Sequence, residues 1–152
     1  MAYTTDEGRA RILGDLAVAI ERVADALARL GAAYEQLDDD HADRLEELVF
    51  RPVQGAYGRA RRVHSEFAAR SRLPGREFAA HSPGAASQSV RELIERAADA
   101  AHEAEQAIAE LQDSMLPVEV GDPELRAELS QLRETLAPVP ARARELLRTV
   151  GR

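Results

Sequence analysis

The chain has 152 residues, enough for one domain with a real core and too few for two. Cysteine and tryptophan are absent and aromatics make up 4 %, which excludes a disulfide framework, a thiolate metal site and a cysteine nucleophile and argues against a β-rich fold or an aromatic stacking platform. All 20 basic residues are arginine, alanine occurs 29 times and the formal net charge is −7, a composition that points to GC-rich bacterial coding and argues against non-specific nucleic-acid binding by the whole molecule.

Apolar residues recur at alternating steps of three and four almost throughout. From Leu13 the series runs Leu16, Ile20, Val23, Leu27, Leu30, Tyr34 and Leu37, more than three heptads of one helical stripe. Thr4 followed by Glu7 fits a capping box, so a first helix is predicted over 5–37. Asp38, Asp39 and Asp40 break the pattern and suit the start of a second helix, where carboxylates face the positive end of the dipole. That helix is predicted over 41–72, with Leu45, Val49, Val53, Ala56, Ala60, Val63 and Phe67 inward. If the first helix instead ran on to about residue 50, His41 would fall on the stripe, where a histidine packs poorly.

Residues 73–88 carry two Pro-Gly dipeptides and read as a loop, long for a link between antiparallel helices. The expectation is that it crosses the end of the bundle with Phe78 as a plug. Ser89 with Glu92 opens a third helix, whose inner face at Ala97, Ala101 and Ala104 is small enough to admit a close neighbour. Pro117 and Gly121 mark a turn. Asp122-Pro123-Glu124 then starts a fourth helix carrying Leu125, Leu129, Leu132, Leu136, Val139, Ala143, Leu146 and Val150. Pro52, Pro138 and Pro140 fall inside stripes that continue past them, which predicts kinks rather than ends. Helices 2 and 4 would run parallel and share a level at these prolines. That level is either a bend taken up by small residues or a waist that opens on an apolar ligand. The predicted fold is all-α: residues 1–152 form one antiparallel up-down four-helix bundle with coiled-coil-like packing, helices 2 and 4 kinked by proline.

Charge is distributed unevenly along this frame. Residues 51–76 hold seven arginines, Arg51, Arg59, Arg61, Arg62, Arg70, Arg72 and Arg76, against Glu66 alone. The segment carries +6 and the remainder of the chain therefore −13. Residues 35–47 and 92–113 each have seven acids and one arginine. Arg59, Arg61 and Arg62 lie off the core positions and predict an exposed basic face. Its guanidinium forks suit carboxylates of the same bundle or a second copy, an acidic partner protein, or phosphates of nucleic acid or anionic lipid.

Enzymatic chemistry is thinly represented. Asp99-Ala-Ala-His102 echoes part of a di-iron Glu-x-x-His set, but the inner stripe of Ala97, Ala101 and Ala104 turns it outward. Glu21 and Asp25 also fall off the stripe, and no metal or other cofactor is expected. Tyr34 with Asp38, and Tyr3 with Glu7, fit the loose Tyr-x-x-x-acid pattern of type VII secretion substrates. That pattern belongs after a helical hairpin, and Tyr34 reads as a core residue. Arg59 and His64, and Arg76 and His81, stand with four residues between them; Arg96 and His102 have five. This spacing resembles the motif of the HEPN ribonucleases, which are helical bundles too. The resemblance implies RNA cleavage with His64 the first residue to test, although residues five apart on a helix lie about 140° apart around it. The start of the chain has no basic region leading into an apolar run, and no window approaches a membrane span. The expectation is a non-enzymatic, cytoplasmic interaction or scaffold protein that self-associates through its basic and acidic faces. The alternative is an anion binder through Arg51–Arg76.

Overall fold

The computed structural model describes residues 4–150, and every regular element among them is helical. Tyr3, one of the two tyrosines of the secretion-like pattern, lies outside the described residues. Helix α1 is Thr5–Gln36. Thr4 Oγ1 accepts the Glu7 N–H at 3.1 Å and the Glu7 carboxylate accepts the Thr4 N–H, closing the capping box. The helix stops before the aspartates as expected. Asp38 caps α2 (Asp39–Leu45) by accepting the His41 N–H at 2.9 Å, and that bond lowers its own pKa.

A π turn, Glu46–Phe50, joins α2 to α3 (Arg51–Ser71) without a break. Arg51 N–H bonds the carbonyl of Glu46, five residues back instead of four. The cause is Pro52, which has no N–H to give and whose ring would press on the carbonyl four residues earlier. One extra residue in the preceding turn relieves that clash, and the helix continues. Residues 72–89 are non-helical. Helix α4 is Val90–Asp113, capped by Ser89, whose hydroxyl accepts the Glu92 N–H. A short α5 (Leu116–Glu119) fills the turn to α6 (Pro123–Leu136), which Asp122 caps. Gly121 is required in this turn because a Cβ would lie 2.4 Å from the Pro117 carbonyl oxygen. The fourth predicted helix is divided: α6 ends at Leu136 and α7 is Val139–Val150. Pro138 and Pro140 withhold the donors that would have joined them.

The directions of the helices correct the predicted connectivity. Gln36, at the end of α1, donates to the carbonyl of Gln88, just before α4 begins. Arg9, near the start of α1, donates to the carbonyl of Val120, just after α4 ends. Helices α1 and α4 are therefore antiparallel neighbours, and they form the most extensive contact in the molecule. Arg70, at the end of α3, meets Asp122 at the start of α6, so α3 and α6 are also antiparallel. The expectation that helices 2 and 4 run parallel fails, and with it the up-down order. Packed neighbours remain antiparallel, but residues 72–89 return along the length of the bundle before α4 descends. Phe78 does not plug an end. It lies half-buried on the flank, edge-on to the His64 ring at 5.3 Å.

The core is continuous along all four helical rows. Carried along from Arg70–Asp122, the antiparallel register places Pro52 opposite Pro140, within a turn of Pro138. Val49, Val53, Leu136 and Val139 are each no more than 1 % exposed there, so the level is packed and does not form an open waist. Helix α1, packed against α4, carries an alanine row of its own that the large-residue stripe concealed. Ala19, Ala26 and Ala33 of α1, seven residues apart, are 0–1 % exposed.

Candidate functional site

The seven arginines do not form one face. They occupy three sides of α3 and the start of the crossover. Arg59 and Arg70 turn toward α6: Arg59 donates to Gln131 at 3.3 Å and stands 3.9 Å from Glu128. Arg70 grips Asp122 through two nitrogens, at 2.8 and 3.1 Å, with Glu124 at 3.4 Å. Burial pushes the Asp122 carboxyl upward, but the bonds from Arg70 and the Leu125 N–H outweigh it and the pKa falls. Arg61 turns the other way and lies over the Tyr57 ring, 4.4 Å from its centre. Arg51 reaches Glu46, at 3.8 Å. Arg76 pairs with Glu21 at 2.9 Å and covers the Phe78 ring. Among the described residues Arg62 and Arg72 have no ion pair or hydrogen bond from their side chains. Arg72 instead ends α3 in the left-handed conformation at φ 57°. Much of the basic segment is thus neutralised by the bundle's own acids.

The densest polar cluster is one that sequence reasoning did not assemble. His81, on the crossover, places Nδ1 2.5 Å from Asp25 and Nε2 2.5 Å from Glu21. Arg76 holds the other oxygen of Glu21, and Arg22 lies 3.6 Å from Asp25. The hydrogen bond to Asp25, helped by that to Glu21, raises the His81 pKa above its ordinary value. A protonated imidazole can donate to both carboxylates at once, whereas the neutral ring has one N–H. This cluster straps the crossover to α1. Beside it a cleft of about 270 Å³ is lined by Leu27, Phe50, Tyr57 and Ala80.

The three Arg–His pairs behave differently from one another. His64 is 3 % exposed, with Nδ1 unpartnered, while Arg59 points to α6, so the two do not converge. Burial, reinforced by the charge of Arg76, lowers the His64 pKa and favours the neutral ring. Arg76 and His81 do converge, but on the carboxylate of Glu21, which occupies both. Arg96 turns from His102 to Gln88, at 3.0 Å. His102 and Asp99 are exposed and line a groove of about 630 Å³ between α4 and α7. Arg144 and Arg148 of α7 line it opposite Glu95 and Asp99 of α4, where Arg91 pairs with Glu95 one turn on, giving a site of mixed charge. Among the described residues no group of three or more acids and histidines is placed to hold a metal ion, and no helix is long and apolar enough to cross a membrane.

No family model, no curated protein and no solved structure matches the chain.

Proposed function

We propose that the chain is a non-enzymatic interaction protein that associates with copies of itself through complementary charge. The observation that carries this reading is the distribution of charge left over after internal pairing. Asp39, Asp40, Asp43 and Glu47 remain exposed at one end of the continuous α2–α3 row, and Arg61 and Arg62 remain exposed toward the other. A helix that is acidic over its first turns and basic over its later ones is complementary to itself reversed. Ionic attraction between solvated surfaces sets specificity and encounter rate and is screened by salt. The Debye length falls from about 10 Å at 0.1 M to about 3 Å at 1 M salt.

Light scattering across a salt series tests the reading. At low salt the mass should be at least twice the chain's 16.6 kDa, and it should fall toward one chain near 1 M. A strict monomer at low salt, or a mass indifferent to salt, overturns it.

A further inference from the structure

We propose that a second copy docks on the outer face of the α2–α3 row, antiparallel to the first, about a two-fold axis passing beside Gln54 and Gly55. This rests on the self-associating reading and names its surface. Besides its buried stripe the row has an outer one: Asp43, Glu47, Arg51, Gly55, Gly58 and Arg62. From Arg51 onward the steps are four, three and four, the spacing of a helix-packing seam. The π turn carries the stripe back to Glu47 and Asp43 on the same side.

Apart from its chain neighbours and the helix's own backbone, nothing lies within 4 Å of where a Cβ would stand on Gly55 or Gly58. Neither glycine is needed for packing within the chain, and both leave the backbone open to a close approach from outside. Antiparallel docking about the Gln54–Gly55 midpoint makes the matches specific. Glu47 meets Arg62 of the second copy, twice by symmetry. Arg51 lies over Gly58, a long side chain over an open backbone, and Gln54 lies over Gly55. Among the described residues neither Glu47 nor Arg62 has an ion pair within its own chain to give up. The one opposed like pair is Asp43 with Glu66. Arg44 and Arg70 stand beside it, and Arg70 already interacts with Glu66. An interface in which each patch meets its own reverse is isologous and closes at two copies.

Charge exchange tests the surface. Glu47→Arg and Arg62→Glu should each weaken dimerisation at least tenfold in sedimentation equilibrium at low salt, with the helical circular dichroism unchanged. The double variant should recover it to within about threefold, because both contacts are restored with reversed sign. The absence of native cysteine allows a second arm. Gln54→Cys, beside the axis, should oxidise to a covalent dimer, and Ser65→Cys, far from it, should not. If the wild type is monomeric at low salt, self-association itself fails. If it dimerises but neither single variant weakens it, or the double variant does not recover, or Gln54→Cys does not cross-link, this surface is overturned while self-association stands.

Discussion

Two histidines on the crossover side of the bundle are driven in opposite directions by their surroundings. His64 is shut between α1, α3 and Phe78, where a charge would be poorly solvated, so its pKa is lowered. His81 sits between two carboxylates, which favour its charged form. Linkage then gives the signs. The raised His81 contributes stability that is fully present below the unfolded value of about 6.5 and is lost as pH rises through its higher folded value. The lowered His64 contributes stability present above about 6.5, lost as pH falls through its lower folded value. His81→Gln should therefore lower the melting temperature at pH 6 by about 2–4 °C, roughly 1 kcal/mol for partly exposed ion pairs, and by much less at pH 9. Thermal melts at the two pH values check this; an equal loss at both would show that protonated His81 does not hold the strap.

Among the helices, what was legible in the sequence was whatever the chain decides locally. Thr4, Asp38, Ser89 and Asp122 cap the helices that their positions predicted, because each side chain bonds an N–H three residues on. Leu16, Ile20 and Leu30 are buried because a stripe of large apolar residues leaves a helix no other stable orientation. The alanine face of α1 was not legible. Ala19, Ala26 and Ala33 contribute little hydrophobicity, and only the partner helix turns their small size into close packing. Ala101→Leu, at a position 0 % exposed on α4, should cost about 1–3 kcal/mol by overpacking despite leucine's good helix propensity. Urea denaturation measures the loss, and an unchanged midpoint would mean that the core is not closely packed at Ala101. Gly55 and Gly58 are the converse, each about 1 kcal/mol worse than alanine in a helix interior with no packing inside the chain to offset it.

For the molecule as a whole, the sense of the third helix is the decisive feature. The length of the 72–89 connection was the available signal, since 18 residues greatly exceed what a turn needs and can reach about 60 Å. It is also where the end-plug expectation for Phe78 went wrong, since a long loop can cross an end or run the length. The crossover brings Gly8 against Val120, whose methyl lies 2.9 Å from where a Gly8 Cβ would stand. A Gly8→Cys, Val120→Cys variant should accordingly form an intrachain disulfide, seen as a non-reducing gel shift at unchanged mass. An up-down bundle would hold these residues at opposite ends, and failure to oxidise would argue for it.

The sequence by itself determined the helical segments, their caps and the grouping of seven arginines in one acidic chain. All of these depend on neighbours within a few residues. The tertiary structure alone decided which arginines are consumed: Arg70 by Asp122, 52 residues away, and Arg76 by Glu21, 55 residues away. It alone joined His81 to Asp25 and Glu21, and among the described residues it left Glu47 and Arg62 without an ion pair on one outer stripe. Ion pairing is a matter of distance in space, and only the path of the crossover sets those distances.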